Sequence, residues 1–203
     1  MFHLDDEDQD GSDKPAKPES PAPFSPRMEE ALFKSRTVVL FGEINMKVAQ
    51  AFSAKMLALA QDSADPIKVF INSPGGHVES GDTIHDMIKC VGPEVKVIGT
   101  GWVASAGALI YAAAPKKNRF ALPNTRFMLH QPMGGVMGQA SDISIEAQEV
   151  LKMRDRLNQI FADATGQPIE KIAKDSDRNF WMSAEEAKDY GLVGSVLTSL
   201  RGL

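Results

Sequence analysis

The sequence predicts an α/β domain built on a mostly parallel sheet, on three observations. From residue 36 onward, short β-rich apolar runs alternate with helical stretches. The second run ends in Ser73-Pro74-Gly75-Gly76 and the third leads into Gly101-Trp102-Val103-Ala104-Ser105, both composed like strand-to-helix turns. No segment repeats internally.

The elements follow in order. Thr37-Val38-Val39-Leu40-Phe41 reads as a strand. Residues 47–60 read as a helix, because Val48, Phe52, Met56 and Leu59 recur at helical spacing on one face. Ile67-Lys68-Val69-Phe70-Ile71 is a second strand, and 78–91 a second helix. Residues 95–99 form a third strand and 105–114 a third helix, with further short strands over 119–122 and 127–129. Right-handed crossovers place the turns after the second and third strands at the carboxyl edge of the sheet, where open α/β folds bind ligands. A glycine-rich stretch over 133–141 interrupts the alternation and precedes a long helix over 141–164. Its apolar stripe (Ile145, Leu151, Leu157, Phe161) is broken by Lys152, Arg154, Asp155 and Arg156, so packing on a partner chain and capping of its own domain are equally compatible with it. Ser183-Ala184-Glu185-Glu186 has capping-box spacing and opens a short helix ended by Gly191, before a last strand over 193–197.

Composition narrows the function classes. The 203 residues suffice for one well-buried domain plus a tail. No apolar run reaches bilayer length, and the acidic opening Asp5-Asp6-Glu7-Asp8 is the reverse of a secretory signal, so a cytoplasmic location is expected. The net charge of −5 sits wholly in residues 1–20, where seven acids face only Lys14 and Lys17. The neutral remainder has no bias toward nucleic acid or an anionic membrane. Pro15, Pro18, Pro21, Pro23 and Pro26 add to that acidity, so residues 1–27 are expected to form a disordered tail and 28–203 a single domain. Cys90 is the only cysteine and is expected to be a small core residue. No His, Cys, Asp and Glu cluster has metal-ligand spacing, and no metal is expected.

Two residues carry the chemistry. Ser105 lies among small residues at a predicted strand-to-helix turn, and His130 follows the strand over 127–129. A serine hydroxyl needs a base, and a neutral imidazole is the usual one. Either residue alone is adequately explained by packing. A third element changes the balance: Gly75-Gly76 closes a buried-type strand, and glycine lets backbone N–H groups approach a ligand. The N–H groups of Gly76 and Ala106 would then serve as an oxyanion hole. Three turns in this order meet at one sheet edge, a pattern suited to acyl transfer.

These stretches, together with Leu122-Pro123-Asn124, Met128-Leu129-His130-Gln131-Pro132-Met133-Gly134-Gly135 and the run from Met182 to Val193, resemble the Clp protease proteolytic subunit, ClpP. The resemblance runs in register over about residues 36–198. It implies a crotonase-like fold with a protruding helix-strand handle. It also implies a serine endopeptidase in two stacked heptameric rings, fed with unfolded polypeptide by an AAA+ unfoldase. It implies no cofactor of the chain's own, since the ATP is used by the unfoldase, and no Walker motif occurs here. By position, Ser105 matches the nucleophile and His130 the base, with Gly76 and Ala106 at the oxyanion hole. Gln139, Asp142 and Arg178 match contacts between rings.

Two positions depart from the family pattern. Its third triad member is an Asp, where this chain has Asn179, with Asp177 two residues away as the alternative acid. An uncharged Asn supports the imidazolium less, which leaves a weakly active or structural paralogue in a mixed barrel as the alternative reading. The family's axial loop is replaced by the acidic, proline-rich tail, which questions the usual docking of the unfoldase. A crotonase hydratase and a signal-peptide peptidase are lesser alternatives on the same fold. The first would place acids near the oxyanion site, and the second would need a membrane anchor.

Overall fold

The computed structural model describes residues 24–133, 137–201 and 203. The expected tail therefore lies outside the described residues as far as 23, and the glycine-rich stretch does so over 134–136. The end of the expected tail is helical. Ser25 accepts from the Met28 N–H, and Pro26 occupies the first turn of α1 (Pro26–Lys34), where its missing N–H costs nothing.

The predicted alternation is present. The strands β1 (Thr37–Phe41), β2 (Ile67–Ser73) and β3 (Val95–Ala104) are parallel and alternate with α2 (Met46–Asp62), α3 (Val78–Cys90) and α4 (Ala106–Ala112). In α2 the buried residues are Ala49, Phe52, Met56 and Leu59, and the Asn45 side chain caps the helix by accepting from the Val48 N–H at 3.0 Å. β3 runs five residues past its predicted end. The expected strand ends at Gly99, and the chain stays extended beyond it because Gly99 and Gly101 allow close packing. A Cβ on Gly99 would lie 3.1 Å from Phe127 and Val103, and Gly101, at φ +62°, rests on the Asn72 amide.

The extra length of β3 organises the sheet. Its first half pairs in parallel with β4 (Arg119–Ala121), and its second half with β5 (Arg126–Leu129). β7 (Ser195–Val196) extends the sheet beside β4. β6 (Phe180–Ser183) lies outside the predicted elements. It pairs antiparallel with β5, matching Leu129 to Phe180 and Arg126 to Ser183. Four residues carry no periodicity of their own, and pairing across some fifty residues of chain defines this strand.

After β5 come α5 (Ala140–Thr165), an unpredicted short helix α6 (Ile169–Asp175) and α7 (Ala184–Tyr190), whose capping box between Ser183 and Glu186 is formed in full. α5 is buried only in its final third, at Leu157, Asn158, Phe161, Ala162 and Thr165. Ile143, Ile145 and Leu151 stay exposed, so its first half projects from the body as the expected handle. The buried Arg119 donates to the Ala164 carbonyl at 2.5 Å, placing a cation on the negative end of the α5 dipole. Cys90 corrects an expectation. It is exposed, because α3 turns Ile84 and Ile88 inward and Cys90 lies about 200° further round than Ile88.

Candidate active site

Small residues bring α4 close to the sheet. All seven of its residues are buried, and a Cβ on Gly107 would approach the Ser73 Cβ to 3.1 Å. Ser105 caps this helix with φ 55° and ψ −123°, a left-handed backbone that a non-glycine residue adopts at a cost of roughly 1–2 kcal/mol. Its own N–H donates to the Met128 carbonyl at 2.9 Å, which straps the turn to the strand that ends at His130. Ser105 Oγ lies 2.6 Å from His130 Nε2, a distance at which the hydroxyl donates when Nε2 carries no proton.

Burial holds the His130 imidazole below the ordinary histidine value, and a hydrogen bond with the Asn179 side chain partly offsets it. Asp177, the alternative acid, is engaged elsewhere. Gln131 Nε2 donates to its carbonyl at 2.9 Å and to its carboxylate at 3.3 Å. The Gln131 N–H also donates to the Ser176 carbonyl at 2.6 Å. Gln131 therefore pins the loop that presents Asn179. The His130-Gln131-Pro132 run contained this residue, but its partners lie 46 positions away and nothing local names them.

The Ser-Pro-Gly-Gly turn supplies the facing wall. Ser73 Oγ accepts from the Gly75 N–H at 3.0 Å, and Gly75, at φ +97°, has no room for a Cβ, which would stand 2.6 Å from the Ser105 Cβ. Gly76 bridges Ile44 in parallel fashion, and its neighbours make the bonds. Gly75 O accepts from Ile44 N–H at 2.8 Å, and His77 N–H donates to Ile44 O at 2.9 Å. The Gly76 N–H is thereby left facing away from Ile44. Among the described residues no hydrogen bond takes it, nor the N–H of Ala106 at the open first turn of α4. An apolar recess beside Ser105 and His130, lined by Val78, Leu109, Pro132, Leu157 and Phe161, offers about 270 Å³ of empty space, part of it open to solvent, and the centre of a water molecule can occupy only about 10 Å³ of it.

Such an arrangement can deprotonate a serine, aim it at a carbonyl and offer unpaired donors nearby. The remaining predicted residues stand apart from it. Gln139 stands at the N-cap position of α5 without a side-chain capping bond and Asp142 lies in the exposed first turn, while Arg178 is exposed on the loop beside Asn179 and has no ion pair among the described residues. No group of three potential metal ligands occurs among the described residues, and no described helix is long and apolar enough to cross a membrane.

The family model for Clp protease matches residues 25–200. The chain belongs to the Clp protease family. It is 57% identical over 196 residues to the ATP-dependent Clp protease proteolytic subunit 3 of Rhizobium etli, covering 97% of this chain and 98% of that one. Among solved structures, ClpP1 from Listeria monocytogenes superposes with a TM-score of 0.79 at 55% identity, covering 87% of this chain and 99% of the other. An Asn-to-Asp mutant of that ClpP1 gives 0.81 at 55% identity, with 86% and 98% covered. The expected crotonase-like ClpP fold and the peptidase class are thus those of the chain. Were His130 the base of this protease, its pKa would set the acid side of the pH response. The imidazole must be neutral to take the Ser105 proton, so activity is lost as pH falls through its pKa. Because that pKa is depressed, the acid limb of kcat/KM for a small peptide is expected to have its midpoint below about 6.5. A midpoint above that value would contradict the burial argument.

Proposed function

We propose that Ser105, His130 and Asn179 are the catalytic triad of this Clp protease subunit and that it cuts unfolded polypeptides into short peptides. The observation that carries this reading is the 2.6 Å contact between a strained serine hydroxyl and His130. His130 Nε2 takes the Ser105 proton as Oγ attacks the scissile carbonyl. The N–H groups of Gly76 and Ala106 stabilise the oxyanion, and Asn179 keeps Nδ1–H in the productive tautomer. His130 then returns the proton to the leaving amine. Water repeats the sequence to free the acyl-enzyme.

The subunit works in an oligomeric protease with an unfoldase partner. We place it in two stacked heptamers, homomeric or mixed with a paralogue, with the projecting half of α5 and the exposed Gln139, Asp142 and Arg178 at the contact between rings. The subunit numbers in the relatives' names support a setting with several such chains. An AAA+ unfoldase uses the ATP and this chain holds no cofactor. The location is the cytoplasm, with residues 1–25 as a tail on a protease domain that begins at α1, two residues before the expected boundary.

Purified protein is expected to run as a particle near fourteen subunits and to be labelled by a fluorophosphonate at Ser105 alone. A monomer that stays unlabelled, even with a paralogue present, would overturn this assignment.

A further inference from the structure

α5 changes character at one residue. From Ala140 to Arg156 no residue is fully buried, Met153 alone of them packing partly against the core, and from Leu157 onward one face is buried. Arg156 stands at that boundary and grips Asp82 of α3 with both prongs. Nη1 donates to Oδ1 at 2.5 Å and Nη2 to Oδ2 at 2.7 Å. Among the described residues this is the one ion pair between α5 and another element. Glu79 and Asp86 add to its hold, since they lie at positions i−3 and i+4 from Asp82 along α3. The pair is half-sheltered, with Asp82 the more enclosed partner.

Its position relates it to the recess beside Ser105. Leu157, next in the chain after Arg156, and Phe161, one turn on, line that recess from α5. Val78, the first residue of α3, lines it as well. The guanidinium therefore ties together two of the recess walls. The recess is narrow, and the centre of a water molecule can occupy only about 10 Å³ of it, so a bulky side chain that enters presses on its walls.

We propose that Arg156 and Asp82 are positioning residues that hold α3 and α5 together and so restrict the size of the substrate side chain the recess admits. The proposal rests on reading Ser105 and His130 as the peptidase centre. A bidentate fork fixes direction as well as distance, which a lysine cannot do. A wall held this way yields less to a bulky group than one held by apolar contacts alone.

Fluorogenic peptides with Ala, Leu or Phe before the scissile bond test this, with kcat and KM measured separately. Variants Arg156→Gln and Asp82→Asn are expected to raise the Phe-to-Ala ratio of kcat/KM about three- to fivefold, mostly through KM, as loss of a half-exposed pair predicts. Arg156→Lys should fall between, and the exchanged pair Arg156→Asp with Asp82→Arg should return toward the natural ratio. Particle mass and fluorophosphonate labelling should not change. An unaltered ratio in both single variants, or one equal loss across all three peptides, overturns the proposal. If the exchanged pair fails to assemble, Arg156→Lys against Arg156→Gln decides it. Absence of Ser105 labelling in the natural protein would sink the catalytic reading instead. Amide exchange over 157–161 then judges the clamp: faster exchange in Arg156→Gln supports it, and unchanged exchange overturns it.

Discussion

Replacing Ser105 by alanine is expected to abolish fluorophosphonate labelling and to lower peptide hydrolysis by about 10⁴-fold or more, leaving the fold and the particle intact. The loss is large because the remaining groups cannot form the acyl-enzyme. His130 would still be present, but its Nε2 would face a methyl group where it now meets Oγ at 2.6 Å. Alanine tolerates the left-handed backbone no worse than serine, and the strap from the residue 105 N–H to the Met128 carbonyl does not involve the side chain. Stability should therefore change by less than about 1 kcal/mol. Residual hydrolysis above a tenth of the natural rate would show that the nucleophile lies elsewhere.

The second large effect is a gain. Asn179→Asp is expected to raise kcat by about tenfold and to shift the acid limb of the pH profile upward. Both follow from one cause: a carboxylate stabilises the imidazolium that forms in the transition state, and the same attraction raises the resting pKa of His130. The trypsin-type template sets about 10⁴-fold as the upper bound, and a surround shaped for Asn will realise only part of that. Asp177→Asn should leave the rate within about twofold, because Gln131 already holds that carboxylate. An unchanged rate in Asn179→Asp together with a collapse in Asp177→Asn would identify Asp177 as the working acid. An upward pH shift without a rate gain would mean that the introduced carboxylate binds the ring in an unproductive orientation.

Much of this centre could be read from the chain because its parts are local. Small residues around Ser105, glycines after Pro74 and the capping box at Ser183 each answer to short-range sterics or hydrogen bonding, and each is where it was expected. What escaped was non-local. β3 passes through Gly99 and Gly101 because Phe127, Val103 and Asn72 pack where a Cβ would stand. β6 exists because β5 offers it an edge. Cys90 points outward because the helix phase is set by Ile84 and Ile88. That Gln131 holds Asp177 is likewise set across 46 positions of chain.

By itself the chain determined which chemistry was available: a hydroxyl, an imidazole, two glycines and the order of strands and helices that carries them. Those follow from residue type and near-neighbour spacing, which a linear reading contains. Tertiary structure alone decided how near the Ser105 hydroxyl comes to the ring, where α5 leaves the body and that Arg156 meets Asp82 across 74 positions. Such contacts depend on how separate elements come together in space, and the energy that selects them is shared among residues no local pattern connects.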